Sequence, residues 1–160
     1  MPGADDAAFV AFATARHQAL HRSAYLMVAD VQLAQDLVQE ALTKTYVAWG
    51  RLREVNSAEA YTRKVITTTA ISWFRRKSWN AERVVDLMPE RPMASGADDV
   101  AQREWVWQAL QQLPARQRAA IVLRYYEGLS EREIADALGC SPGTVKSSAY
   151  HALKSLRTAL

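Results

Sequence analysis

The chain contains 160 residues, a length that suits one large domain or two small ones, and its 20 basic and 17 acidic side chains leave a net charge of only +3. Its single cysteine excludes an internal disulfide and a cysteine-rich zinc site, and three scattered histidines are too few to replace such ligands. No run approaches the roughly 18 apolar residues that span a bilayer, and the amino terminus lacks an export signal, so we expect a cytoplasmic protein without membrane insertion.

The first predicted helix begins with Asp5 or Asp6 as its N-cap. One side of it carries Phe9, Phe12, Arg16, Leu20 and Met27. A clearer amphipathic helix follows, capped by Asp30 and ended by Gly50. Its apolar stripe comprises Ala34, Leu37, Val38, Ala41, Leu42, Thr45, Tyr46 and Trp49.

The other side of this second helix is acidic and rich in amides. It presents Asp36, Gln39, Glu40, Thr43 and Lys44. Such a face is either simply hydrated or a docking surface for another protein, and the pattern alone leaves both interpretations open.

The third predicted helix is capped by Ser57 and ends in a mixture of aromatic and basic residues. Its expected buried residues are Val65, Ile66, Ala70 and Phe74. Between Trp73 and Trp79 two rings precede the cations of residues 75–77 and a third ring follows them. This mixture suits nucleic acid, because cations neutralise phosphates and rings stack on unpaired bases for roughly 1 to 3 kcal/mol each. The alternative is that the rings belong to the core and the cations complement the negative end of the helix.

An acidic segment separates two mildly basic blocks. Residues 1–78 and 101–160 each carry a net charge of +3, whereas residues 79–100 carry −3. The intervening sequence VVDLMPERPMASGADD lacks a sustained apolar period, which predicts a flexible linker. In the second block, Val106, Leu110 and Leu113 are expected to face a core, and Pro114 starts a further helix that ends at Gly128.

The segment from Leu129 to Leu156 predicts a helix-turn-helix. Ser130 and Glu133 form a capping box, and Gly139 supplies the left-handed residue of the turn. Ser141 caps the second helix, and Pro142 occupies its first turn. On that helix an inward stripe comprises Val145, Ala149, Ala152, Leu153 and Leu156, and an outward face comprises Lys146, Ser147, Tyr150, His151 and Lys154. The outward face is either a hydrated surface or a DNA-reading surface, and the tight turn favours DNA.

Together these patterns predict an all-α protein of two small helical domains, residues 1–80 and 100–160, joined by a flexible linker at residues 81–99. The sequence contains no glycine-rich phosphate loop, no glycine-flanked serine nucleophile and no paired-histidine metal motif. We therefore expect neither an enzyme nor a bound cofactor or metal.

The order of these parts resembles the extracytoplasmic-function (ECF, group 4) sigma factors of bacterial RNA polymerase. DLVQEALTKTYVAW resembles the core-binding helix of sigma region 2, and AYTRKVITTTAISWFRRKSW resembles its promoter-melting helix. LPARQRAAIVLRYYEGLSEREIADALGCSPGTVKSSAYHALKSLR resembles the helix-turn-helix of sigma region 4. The resemblance implies that core RNA polymerase and promoter DNA are partners, with an anti-sigma factor as a further candidate.

The resemblance also implies roles for individual residues. Polymerase binding would use Asp36, Gln39, Glu40 and Lys44. Recognition and melting of the minus-10 element would use Val55, Asn56, Ser57, Tyr61, Lys64, Arg75, Arg76 and Lys77. Reading of the minus-35 element would use Thr144, Lys146, Ser147, Tyr150, His151 and Lys154. Ser148 and His151 stand where many members of the family carry arginine, so we expect a weaker phosphate contact that strengthens when histidine is protonated.

The same helix-turn-helix also fits an alternative function, that of a stand-alone transcriptional regulator that binds duplex DNA as a dimer. The N-terminal block discriminates between the two functions, because a regulator would use it for dimerisation or ligand binding. A regulator that used the block in this way would have little need for the aromatic and basic residues between Trp73 and Trp79.

Overall fold

The computed structural model describes residues 3–52, 54–79 and 98–159, and no strand occurs within these ranges. The predicted all-α fold is confirmed for them. The N-terminal block contains α1 (Ala4–Val28), α2 (Val31–Ala48) and α3 (Val55–Trp79), with a 3₁₀ turn at Trp49–Arg51. The C-terminal block contains α4 (Asp98–Gln111), α5 (Ala115–Ile121), α6 (Glu131–Leu138) and α7 (Pro142–Ala159), with a π-helical segment at Val122–Tyr126. Most of the predicted linker, residues 81–99, lies outside the described residues.

The apolar stripes of α1, α2 and α3 meet in the core of the N-terminal block. Its larger buried side chains include Phe12, Leu20, Met27, Leu37, Val38 and Ile66. Two of the three buried threonines of this block form a pair, with hydroxyl oxygens 2.6 Å apart between Thr45 on α2 and Thr62 on α3. Each hydroxyl is also within hydrogen-bond distance of the carbonyl four residues earlier, so these polar groups are satisfied without water.

Two predicted caps in this block are wrong. Gly3, rather than Asp5 or Asp6, caps α1, and its amide donates to the Asp6 carboxylate at 3.2 Å. Helix α3 begins at Val55, so the predicted cap Ser57 lies inside the first turn. Both errors arise because several short polar residues near a helix start can serve as caps, and the path of the incoming chain decides between them.

Helix α2 begins as predicted but ends earlier. The Asp30 carboxylate accepts a hydrogen bond from the Leu33 amide at 2.9 Å, which confirms the N-cap. The α-helix stops at Ala48, and Gly50 lies within the 3₁₀ turn that follows. Tyr46 was expected in the apolar stripe but is 48% exposed, because its hydroxyl donates to Asp6 at the surface.

The predicted caps and turn of the helix-turn-helix are confirmed, and α7 continues to Ala159, beyond the predicted end at Leu156. The Ser130 hydroxyl accepts from the Glu133 amide at 3.1 Å, while the Glu133 carboxylate accepts from the Ser130 amide at the same distance. Gly139 adopts the left-handed conformation with φ of 69°. The Ser141 hydroxyl accepts from the Thr144 amide, and α7 begins at Pro142.

In α4, by contrast, Val106 is 48% exposed, although Leu110 and Leu113 are buried as predicted.

Replacing Ser130 with alanine is expected to lower the free energy of unfolding by about 1 kcal/mol, because the first turn of α6 loses a capping acceptor. Urea unfolding followed by circular dichroism measures the change. Ser155→Ala is the matched control, since Ser155 is exposed within α7 and its loss removes no cap. Equal stability of Ser130→Ala and the control would contradict the assigned role of the cap.

The two blocks pack against each other through one continuous group of buried apolar residues. Helix α3 contacts α5 and α6, and α1 contacts α5 and the π-helical segment. The Gln111 amide donates to the Leu26 carbonyl at 3.1 Å, and the rings of Tyr25 and Trp107 stack with centroids 4.9 Å apart. The sequence predicted two domains but not this contact, because amphipathic periodicity does not identify which helices pack together.

Candidate nucleic-acid and protein interfaces

Helix α2 directs its acidic and amide side chains to solvent. Asp36, Gln39, Glu40 and Lys44 are all exposed, whereas Leu37, Val38 and Ala41 between them are buried. Lys44 Nζ lies 3.3 Å from Glu40 Oε1, one turn apart on the helix. Such an exposed pair contributes little to stability, so the face is free to contact another protein without loss of fold.

The first turns of α3 carry the second predicted group. Asn56, Ser57 and Lys64 are exposed, and Tyr61 is half-buried. Tyr61 and Lys64 are three residues apart, so both side chains lie on one side of the helix and line the same cleft. The side chain of Val55, which belongs to the same prediction, lies outside the described residues.

The last turns of α3 carry both the predicted cations and the predicted rings. Arg75, Arg76 and Lys77 are exposed. Trp73 and Phe74 pack edge to face with centroids 4.6 Å apart, and Lys77 Nζ lies 4.8 Å from the Trp73 ring. Phe74 lies partly buried against the core, which supports the core interpretation for this ring. The side chain of Trp79 lies outside the described residues.

Helix α7 presents the predicted outward face. Lys146, Ser147, Tyr150, His151 and Lys154 are exposed, while Val145, Ala149 and Ala152 are buried beneath them. The Tyr150 side chain is 63% exposed, and its ring meets that of His151 edge to face at 5.5 Å. Thr144 is half-buried, and its hydroxyl lies 3.0 Å from that of Ser141 at the helix start. Helix α7 therefore presents one continuous polar face to solvent.

Sequence reasoning missed a polar cluster between the two blocks. Arg63 Nε lies 3.1 Å from Glu127 Oε2, and Arg63 Nη2 lies 3.4 Å from Glu59 Oε1. The Ser23 hydroxyl donates to Glu127 Oε1 at 2.9 Å. The Arg63 to Glu127 contact is an ion pair without hydrogen-bond alignment, since neither atom has a hydrogen-bond partner among the described residues. No local pattern indicates this cluster, because Ser23 and Glu127 are 104 positions apart in the sequence.

A second interblock contact places a buried cation over a ring. The Arg118 guanidinium lies 4.6 Å from the centroid of Phe74, and its Nη1 donates to the Gln111 side chain. Burial lowers the pKa of Arg118 to about 10, so the group stays charged at neutral pH. A desolvated cation–π contact of this kind is worth about 2 kcal/mol.

Stability is expected to depend on the protonation of Glu127. Burial raises the pKa of Glu127 above its ordinary value, and this effect together with the repulsion from Glu59 outweighs the opposing effects of Arg63 and Ser23. A raised pKa in the folded state means that the native protein binds this proton more tightly than the unfolded chain. The resulting stability is present below the ordinary glutamate pKa and is lost as the pH rises through the raised value.

Urea unfolding at about pH 5 and about pH 7 measures this effect against Glu127→Gln, which cannot titrate. We expect the free energy of unfolding of the original chain, relative to the variant, to fall as the pH rises. A difference that is constant across this range would contradict the raised pKa.

Two known sequence families match the chain. Residues 12–80 match Sigma-70 region 2, and residues 103–156 match Sigma-70, region 4. The RNA polymerase sigma-E factor of Streptomyces coelicolor is 39% identical over 156 residues, which cover 95% of this chain and 85% of that protein. The ECF RNA polymerase sigma factor SigL of Mycobacterium tuberculosis is 32% identical and covers 88% of this chain and 82% of its own. RNA polymerase sigma factor SigV of Bacillus subtilis is 30% identical, with 92% and 87% covered.

A solved structure shares the fold. It is the co-crystal structure of the sigma factor RpoE in complex with the anti-sigma factor NepR from Bartonella quintana. The two chains superpose with a TM-score of 0.70 over 92% of each, at 24% identity. The likeness therefore extends over both helical blocks.

Proposed function

The chain belongs to the extracytoplasmic-function sigma factors of the sigma-70 family, and we propose from this membership how its helices divide the work of transcription initiation. A sigma factor binds core RNA polymerase and directs it to promoters. We assign polymerase binding to α2, recognition of the minus-10 element to α3, and recognition of the minus-35 element to α7. The proposal gives the chain no catalysed reaction of its own and places it in the cytoplasm, where bacterial polymerase works.

The α2 face would bind polymerase through Asp36, Gln39, Glu40 and Lys44. Their shared exposure supports this role, and so does the mixture of carboxylate, amide and ammonium groups, which suits a partner surface of complementary charge. The buried stripe on the other side of α2 anchors the face to the core, so that contacts form on a rigid element.

Helix α3 would hold the non-template strand of the minus-10 element. Unpaired bases must leave the duplex stack, which costs a few kcal/mol, and stacking and edge contacts must offset that cost. Asn56, Ser57 and Tyr61 supply donors, acceptors and a ring, and Lys64 supplies a cation next to them. Val55 belongs to the same predicted group. The exposed cations Arg75, Arg76 and Lys77 would contact phosphates at the other end of the helix.

Helix α7 would enter the major groove at the minus-35 element. Lys146, Ser147, Tyr150 and His151 form the outward face suited to base edges, with Thr144 and Lys154 at its borders suited to the phosphate backbone. Residues 1–80 and 100–160 would then act as separate recognition modules. The linker at residues 81–99 would set the effective concentration of one module once polymerase has engaged the other.

A protein partner of the anti-sigma kind is a further part of the proposal. RpoE of Bartonella quintana was crystallised with the anti-sigma factor NepR, and its fold covers most of this chain. We propose that a regulator of this class binds the present chain as well.

The observation that carries the assignment is the presence in one chain of two separated exposed faces, acidic on α2 and DNA-suited on α7. The test is reconstituted transcription from bacterial core polymerase with and without the purified chain. Start-site-specific transcripts that need the chain would support the proposal. Absence of polymerase binding, together with dimeric binding of the chain alone to a palindromic duplex, would favour the stand-alone regulator. The relatives do not favour that regulator, because the N-terminal block matches sigma region 2.

A further inference from the structure

The exposed side of α2 ends in an apolar residue. Val47 is 81% exposed, more than Val10 on α1 or Val31 at the start of α2, which are 59% and 58% exposed. It follows Asp36 by eleven residues and Glu40 by seven, which are close to three and two full turns of an α-helix. Val47 therefore lies on the same side of α2 as the carboxylates assigned above to polymerase binding.

Two neighbouring side chains extend this apolar position. Tyr46 is exposed, and its ring packs edge to face against Phe9 of α1 with centroids 5.0 Å apart, while its hydroxyl is hydrogen-bonded to a carboxylate of α1. One turn before Val47, the Thr43 hydroxyl donates to the Gln39 carbonyl at 2.8 Å, and the other branch of this exposed side chain is a methyl group. We call Thr43, Tyr46 and Val47 the apolar end of the α2 face.

The polar part of the α2 face consists of charged and amide side chains. Such groups set the orientation and the speed of an encounter between two proteins. The centre of a protein interface, by contrast, is enriched in apolar and aromatic side chains that exclude water. Exclusion of water also strengthens the charged contacts around that centre. The apolar end supplies side chains of this second kind next to the polar part.

The size of the apolar end indicates what covers it. A single exposed apolar residue is common on protein surfaces and indicates no contact by itself. Three side chains are also far fewer than the roughly 20 residues that each side of a stable interface contributes. They could not hold a second copy of the chain on their own and would serve only within a larger surface. The polar part of α2 continues directly into them, so one partner would cover both.

We propose that the apolar end of the α2 face is the anchor of the interface with core RNA polymerase, and that Val47 enters an apolar site on the polymerase surface. The inference rests on the proposed role of α2 and adds to it residues that its polar pattern did not indicate. In this arrangement Asp36 and Glu40 orient the partner, whereas Val47 supplies affinity that does not depend on salt. The contacts of Tyr46 with α1 hold its ring before binding, so that little side-chain freedom is lost in the complex.

The test compares Val47→Ala with Val31→Ala in fluorescence anisotropy of the labelled full chain with core polymerase. Both variants remove the same two methyl groups from an exposed position of α2. Val31 lies 16 residues before Val47, or about four and a half turns, which places it on nearly the opposite side of the helix. Alanine favours the helix more than valine does, so neither change is expected to unfold α2. Thermal unfolding followed by circular dichroism checks that both variants are folded.

Val47→Ala is expected to weaken polymerase binding about 5- to 15-fold relative to Val31→Ala. The factor should be similar at about 0.1 M and about 0.5 M salt, because burial of methyl groups is not screened by ions. Equal binding by the two variants would overturn the proposal, and so would a loss that disappears at the higher salt concentration.

Glu40→Ala tests the polar part of the α2 face separately. Its loss of affinity should shrink at the higher salt concentration, because exposed charges are screened. If Glu40→Ala weakens binding while Val47→Ala matches Val31→Ala, the polar docking surface stands and the apolar anchor is wrong. If neither Glu40→Ala nor Val47→Ala weakens binding, the assignment of polymerase binding to α2 is wrong as well.

Discussion

Replacing Glu40 with alanine is expected to weaken binding of core RNA polymerase about 10- to 100-fold, which corresponds to roughly 1.4 to 3 kcal/mol. The carboxylate is exposed on a rigid helix, and its loss would leave the complementary cation on polymerase without a partner. The Lys44 ammonium, which would no longer pair with Glu40, would place a positive charge next to that cation and increase the loss. Binding of the minus-35 duplex by α7 should not change.

Fluorescence anisotropy with labelled chain and core polymerase measures the effect. Asp5→Ala is the matched control, because it removes one exposed carboxylate from α1 and leaves α2 intact. Unfolding of Glu40→Ala should match that of the original chain, since an exposed pair at this spacing contributes only about 0.3 to 0.5 kcal/mol. If Glu40→Ala bound polymerase as tightly as Asp5→Ala does, the α2 face would not be a docking surface and its side chains would simply be hydrated.

Replacing Lys146 with alanine is expected to weaken recognition of the minus-35 element by about 1 to 3 kcal/mol, or about 5- to 150-fold. Lys146 is exposed one turn into α7, where the helix of a helix-turn-helix contacts base edges. If Lys146 contacts a phosphate instead, the loss should be uniform across sequences and the salt slope should fall by about one. The two outcomes therefore distinguish base reading from backbone contact.

Arg157→Ala is the matched control for this change. It removes the same charge from the same helix, about three turns farther on and in its last turn. Promoter binding by the polymerase holoenzyme at several salt concentrations measures both variants. Three whole turns place Arg157 on the same side of α7 as Lys146 but far from the helix start. A loss for Arg157→Ala as large as that for Lys146→Ala would therefore show that charge along this side of α7, rather than the position of Lys146 near the helix start, controls affinity. If Lys146→Ala and Glu40→Ala each lost both polymerase and promoter binding, the common cause would be unfolding.

Local sequence patterns did not predict some helix boundaries correctly, even where the helices themselves were correctly predicted. Ser57 and Asp5 are good capping residues by type, yet α3 begins before Ser57 and Gly3 caps α1. Val106 fits the apolar period of α4 but is 48% exposed, because no element of the described chain covers that side fully. Residue type limits the choice of cap and core position, and the surrounding chain makes the choice.

The sequence by itself determined what depends on neighbours within one or two turns. The capping box of Ser130 and Glu133, the left-handed Gly139 and the outward placement of Lys146 all follow from spacings of a few residues. Only the tertiary structure decided that Arg63 meets Glu127. That contact joins residues 64 positions apart in different blocks, and periodicity reports the side of a helix that is buried but not the helix that buries it. The cleft between α3 and α6, which is lined by both cations and carboxylates, follows from that docking and from no local signal.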